Sequence, residues 1–268
     1  MPYKVKDKEE LQEIIKKCND KRDFTEVENL DVSKLNDISK IFYGCNNLTK
    51  IDLSKWNVSK VINTEYMFYK CKNLTDLNIS NWDVSNVDNM ICMFYGCRNL
   101  TDLNISKWDV SNVKNMSHMF DDCRNLTDLN ISKWDVSNVI TMKYMFCNCK
   151  KITILDISIW NVSNVKNMFC MFYGCRNLTD LNISKWDVSN VKNTECMFYY
   201  CDNLTKLDLS KWNVSNVEII NVMFYSCKNL TDLNISKWDV SNVEYMQNIF
   251  YDCDKLNIID TLVFTIYS

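Results

Sequence analysis

Glycine, proline and histidine are nearly missing from this chain, at 3, 1 and 1 in 268 residues. Phosphate-cradling loops need clustered glycines for tight turns and close backbone approach. Gly44, Gly96 and Gly174 lie too far apart to form a P-loop or a dinucleotide fingerprint. A lone His118 leaves no histidine pair for a metal and a single imidazole base for any triad. No run reaches the roughly 18 apolar residues of a spanning helix, so no membrane insertion is expected. With a net charge of −3 and no basic block, the chain also lacks the electrostatic footprint of a nucleic-acid binder.

The N-terminal stretch MPYKVKDKEELQEIIKKC is too charged for the apolar region of a signal peptide. The expectation is a cytoplasmic protein, intracellular or viral; a signal already removed would leave the same sequence and place the chain at a cell surface. Sixteen N-x-S/T triplets, two of them (Asn99 and Asn104) in one short stretch, would crowd that surface with glycans in a eukaryotic secretory pathway. Fourteen cysteines suggest a disulfide scaffold only in a short secreted chain, and 268 residues can bury a core without staples.

What is abundant is periodic. Tryptophan falls at 56, 82, 108, 134, 160, 186, 212 and 238, an interval of 26 residues without insertion. Cysteine keeps the interval from Cys45 to Cys253, and phenylalanine precedes each of those cysteines by three residues. A strict period of this length means one supersecondary unit per repeat, stacked on its neighbours as a solenoid. Within a unit, Leu100, Leu103, Ile105, Trp108 and Val110 follow LxxLxIxxWxV, which parallels the leucine-rich-repeat pattern and predicts a short strand. Val113, Met116, Met119, Phe120 and Cys123 follow in steps of about three, a helical rhythm. The fold class expected is an α/β solenoid of about nine 26-residue units, with parallel strands on one face and short helical turns on the other.

Three segments follow. Residues 1–29 are expected to form a capping helix and connector: Asp7 and Glu10 suggest a capping box, and Leu11, Ile14, Ile15 and Cys18 form one apolar helix face. Residues 30–255 carry the repeats. Residues 256–268, with Phe264 at the tryptophan position, are expected to close the stack as a last strand.

Units such as CRNLTDLNISKWDVSNVKNMSHMF resemble the BspA-like leucine-rich-repeat proteins, whose hallmark is W-D-[TV]-S-N-V followed by M-F-x-x-C. The likeness covers roughly residues 30–260. It implies a leucine-rich-repeat fold with a binding or adhesion role, in a family with bacterial, protist and viral members, and it supplies no catalytic residue and no cofactor.

The repeated columns suggest where binding would lie. Tryptophan and phenylalanine are expected in the core, and the cysteine column as reduced packing residues rather than a metal or disulfide ladder. Facing outward from the strands are Asp76, Asp102, Asp128, Asp180 and Asp232, with Asn104, Asn130 and Asn182 beside them: an acidic, amide-rich strip that either binds a protein or is simply a solvated face. No hot-spot residue stands out along it. A second stripe, Tyr69, Tyr95, Tyr173, Tyr199 and Tyr225, is interrupted by Asp121 and Cys147. His118 is expected at the surface with no acid fixed beside it. The reading is a non-enzymatic protein-binding or scaffold protein, the alternative a BspA-like surface adhesin, with no metal site and no cofactor.

Overall fold

Every corner of a rung is closed by a backbone N–H reaching the carbonyl three residues back. In one rung Cys97 bonds Phe94 (3.1 Å), Trp108 bonds Ile105 (3.1 Å), Val113 bonds Val110 (2.9 Å) and Met119 bonds Met116 (3.2 Å). Between corners the chain is extended for only two or three residues. Nine successive rungs stack in parallel register in the computed structural model, which describes residues 2–256. The last strand expected over 256–268, Phe264 included, lies outside the described residues apart from Leu256.

The predicted strand face exists, though its strands are short. β1 (Lys50–Asp52) pairs with β2 (Asp76–Asn78), and β3 (Lys206–Asp208) with β4 (Asp232–Asn234), all parallel. Single bridges, Asp102 to Asp128 and Ile154 to Asp180, carry the ladder between them. A second ladder is more continuous: Asp37, Asn63, Asn89, Asn115, Thr141, Asn167, Asn193, Ile219 and Tyr245 bridge rung to rung without a gap.

The face opposite the strands corrects the helical expectation. Apart from α1 (Lys8–Lys21) and a 3-10 turn at Val27–Asn29, no helix occurs among the described residues. Two columns there adopt the left-handed backbone conformation, one from Lys40 to Asn248 and one from Gly44 to Asp252, with φ between 49° and 71°. A left-handed residue at every fourth position breaks helix propagation but preserves the three-residue step of apolar side chains that a helix would share. The N–H groups released from helical bonding instead reach the following rung: Tyr66 to Ile91 (2.8 Å), Phe68 to Met93 (2.8 Å) and Lys70 to Tyr95 (2.6 Å). Non-glycine residues pay about 1–2 kcal/mol for this conformation, offset by hydrogen bonds made once per rung. All three glycines lie in the second column, where that cost vanishes.

The core is one continuous cluster. Phenylalanine rings stack rung on rung at 5.1–5.7 Å and tryptophan rings at 6.3–6.5 Å. Each indole N–H donates to the carbonyl 29 residues earlier, Trp108 to Ile79 (3.3 Å) and Trp186 to Ile157 (3.1 Å) among them. The cysteines behave alike, with Cys123 Sγ donating to the Phe94 carbonyl at 3.1 Å. Asn112, Asn138 and Asn164 carry the same habit to the surface, each bonding a serine carbonyl of the rung before at 2.7–2.8 Å. At the first rung, α1 is capped by Asp7, whose carboxylate accepts from the Glu10 N–H (2.9 Å), and it buries Leu11, Ile15 and Cys18. Glu10 reaches back to the Lys6 N–H rather than to that of Asp7.

Candidate functional site

Two polar faces emerge from this geometry. On the strand face Asp76, Asp102, Asn104, Asp128, Asn130, Asp180, Asn182 and Asp232 are all exposed, because the inward positions of each strand are taken by Leu and Ile. The asparagines are partly committed: the Oδ1 atoms of Asn104 and Asn130 accept from Ser106 and Ser132 at 3.1 Å, and Asn182 accepts from Ser184 at 2.9 Å. Their amide NH2 groups stay available to a partner. Asp102, Asn104, Asp128 and Asn130 line a shallow cleft of about 270 Å³ with Leu103 and Ser106.

One rung breaks the pattern at two exposed columns together. Ile154 replaces the aspartate or lysine of other rungs and Ile159 replaces the usual lysine, while Asp156 between them keeps an exposed carboxylate. Ile154 is 64% and Ile159 72% exposed, against near-zero exposure for Leu155 and Ile157 between them. The strip therefore does carry an apolar spot among unlike neighbours, halfway along the solenoid. The sequence signal was available: both residues interrupt columns that are otherwise charged in nearly every unit.

On the turn face the tyrosines form interrupted stacks. Tyr69 lies 4.7 Å from both Tyr43 and Tyr95, and Tyr199 lies 5.0 Å from Tyr173 and 4.5 Å from Tyr225. Each of the five predicted tyrosines is half-buried against its neighbours, with one edge to solvent.

The gap in this stripe holds a polar cluster that the sequence reading missed. His118 is not a lone surface residue: its Nδ1 lies 2.8 Å from Asp121 Oδ2, and its ring stacks on Tyr144 at 4.4 Å. A histidine three residues before an aspartate, each replacing a recurrent residue type, was the available signal. Burial pushes the Asp121 carboxyl above its ordinary value, opposed by the His118 hydrogen bond. Asp122 is buried beside it and is gripped by Arg98 Nε (2.7 Å) and Arg124 Nε (2.5 Å). His118, Ser117 and Lys143 line a cleft of about 450 Å³ with Tyr66, Tyr69 and Tyr95.

This cluster does not assemble into a nucleophilic site. Burial, and then the neighbouring Asp121 charge, push the Cys147 thiol far above its ordinary value, so it is a poor source of thiolate. The core cysteines are equally inert, since burial raises Cys45 to about 12 and drives Cys71 and Cys97 well above the ordinary value. Among the described residues, no group of three or more His, Cys, Asp or Glu is placed to hold a metal ion. No helix among them is long and apolar enough to cross a membrane.

No curated protein matches the chain in sequence. Among solved structures, it is similar to a chain of a TLR13–ssRNA13 complex (17% identity, 94% of this chain and 37% of that one, TM-score 0.36). It thus spans little more than a third of that protein. It is also similar to a leucine-rich repeat protein from Bacteroides ovatus (16% identity, 84% and 80% coverage, TM-score 0.26) and to a leucine rich cell surface protein from Faecalibacterium prausnitzii (17% identity, 84% and 76%, TM-score 0.33). At these scores the architecture is read from the rungs themselves. A family model matches three overlapping stretches, residues 9–104, 97–205 and 170–261, and the chain belongs to that family, described as Mycoplasma protein of unknown function, DUF285.

Proposed function

We infer that this protein is a non-enzymatic scaffold that binds a protein partner on its strand face, centred on the rung of Ile154 and Ile159. The carrying observation is the pair of exposed isoleucines in that one rung, at two columns that are charged in nearly every other unit. Exposed isoleucines cost solubility and contribute nothing to the core, whereas Asp or Lys at the same columns folds equally well in adjacent rungs. Ile154 and Ile159, on either side of the exposed Asp156 and flanked by Asp128, Asp180, Lys133 and Lys185 of the adjacent rungs, offer apolar contact within a polar surround. The rigid ladder presents these side chains already ordered, so little conformational entropy is lost on association.

The resemblance of the repeat motif to BspA-like proteins supports a binding role, with adhesion as the alternative. The cysteine column packs as core side chains, which fits a cytoplasmic setting where thiols stay reduced.

The test restores the columns. Ile154→Asp with Ile159→Lys copies the neighbouring rungs and should leave thermal unfolding unchanged. A partner retained from the native source on the immobilised parent protein, identified by mass spectrometry, should be lost on the double variant. Retention of the same partner by that variant, with its loss on substituting Tyr95, Tyr173 and Tyr199, moves the site to the tyrosine stripe.

A further inference from the structure

Five cysteines lie outside the buried ladder, and two of them, Cys170 and Cys196, occupy the same position in consecutive rungs. Both adopt the left-handed conformation, with φ of 54° and 56°, so their Cα–Cβ bonds leave the backbone in the same direction. Backbone bonds from Cys170 to Glu195 (2.9 Å) and from Cys196 to Asn221 (3.0 Å) hold these segments at ladder spacing. A separation of about 4.8 Å falls within the Cα–Cα range of disulfides, about 4.4–6.8 Å. The two side chains face one another across the rungs closely enough for each thiol to act on the other's ionisation.

We propose that Cys170 and Cys196 form a redox-active pair, oxidised to a rung-to-rung disulfide by a low-molecular-weight disulfide such as glutathione disulfide. The site is independent of which face binds a partner.

The two thiols differ in the way such exchange requires. Cys196 is half-buried and open to solvent, and the neighbouring Cys170 thiol holds its own below the ordinary value. Cys170 is buried, its thiol raised by that same contact and by burial. The Cys196 thiolate attacks one sulfur of glutathione disulfide, forming a mixed disulfide and expelling a glutathione thiolate. Cys170, deprotonated as it attacks, then displaces the second glutathione from Cys196. Two protein thiols are oxidised by two electrons, one glutathione disulfide is reduced to two glutathiones, and these carry away the two thiol protons. Closing the bond draws the Cβ atoms from about 4.8 Å to about 3.8 Å, a movement taken up in a turn rather than in a strand.

The remaining cysteines lack this combination. Cys175 and Cys201, the ladder residues of the same rungs, are buried and donate to the Phe146 and Phe172 carbonyls. Cys92 shares the column of Cys170, but its neighbours there are Tyr66 and His118.

The full-length reduced protein is incubated with glutathione disulfide at neutral pH, alkylated after denaturation, and mapped by tandem mass spectrometry. The expected product is a Cys170–Cys196 cross-link, reversed by dithiothreitol, with the other thiols alkylated. Cys170→Ser should leave a persistent glutathione adduct on Cys196, whereas Cys92→Ser should leave the cross-link yield unchanged, both variants retaining the parent circular dichroism. A stable glutathione adduct on Cys196 of the parent, cross-linking to another cysteine, or no reaction of the folded parent overturns the proposal.

Discussion

The Ile131 carbonyl accepts two hydrogen bonds, one from the backbone N–H of Trp134 in its own rung (3.1 Å) and one from the indole of Trp160 in the next (3.1 Å). It closes a corner and couples two rungs at the same atom. Phe94 plays the same double role, accepting from the Cys97 N–H and the Cys123 thiol.

This junction sets two magnitudes apart. Trp160→Phe keeps a ring in the stack and leaves the Ile131 carbonyl bonded to Trp134, so about 1–2 kcal/mol should be lost. Trp160→Ala opens a cavity facing Trp134 and Trp186 and should cost about 3–5 kcal/mol. Urea denaturation measures both; a loss below about 1 kcal/mol for the alanine variant would show that the stacked indoles are not core.

Val222 is the one β-branched residue among the left-handed positions of the described residues, with φ of 49°. Asn248 occupies the same column one rung later at 52°. Asparagine tolerates this region because its short polar side chain bonds locally, whereas a branched Cβ crowds the backbone. Val222→Asn is therefore expected to stabilise the protein by about 1 kcal/mol, read as a higher denaturation midpoint. An unchanged or lower midpoint would mean that packing of the half-buried valine outweighs the strain.

The contrast between legible and hidden features follows from what a repeat records. Apolar columns such as Trp108 and Phe120 mark the core because identical environments recur every rung, and the outward aspartates are legible for the same reason. The turn face misleads because a three-residue step of buried side chains arises from tandem turns as readily as from a helix. The only local clue was Gly44, Gly96 and Gly174 in one column; elsewhere that column holds Lys70, Asp122, Tyr200 and other residues that hide the left-handed backbone. The exposed Ile154–Ile159 pair and the His118–Asp121 pair were hidden differently, since each is a departure from the consensus that periodicity tempts a reader to average away.

Acid should weaken the fold through its aspartate turns. Asp109, Asp187 and Asp239 are each held below their ordinary value of 3.8, first by the hydroxyl of the serine two residues on and then by its N–H. Their contribution is fully present above 3.8 and is lost as pH falls through that value towards the lowered folded one, where the unfolded chain takes up protons first. Asp121 has the opposite sign: its raised value lets the folded state bind a proton earlier, so its contribution grows as pH falls. With the turn aspartates in the majority, the urea midpoint should drop between about pH 5 and pH 2. The triple variant Ser111→Ala, Ser189→Ala, Ser241→Ala should flatten that drop, and an unchanged slope would remove the turns as its cause.

Asp122 offers a cleaner measure of charge pairing, because its backbone would not object to replacement. Its φ of 62° is matched in the same column by Asn148 at 55° and Gly96 at 71°, so Asp122→Asn leaves the left-handed conformation satisfied. What it removes is the carboxylate between Arg98 and Arg124. The aspartate side chain is 10% exposed, but the arginines are 43% and 45% exposed, and water screens their side of each contact. That discount puts the expected loss at about 1–2 kcal/mol rather than the roughly 3–5 kcal/mol of breaking a fully buried pair. Added salt should narrow the difference between parent and variant, since part of the interaction reaches solvent. Arg98→Gln and Arg124→Gln should each lose less than Asp122→Asn, because either arginine alone still satisfies one carboxylate oxygen. If either arginine variant matches the full loss, the second guanidinium contributes nothing and the pair is a single ion pair with a bystander.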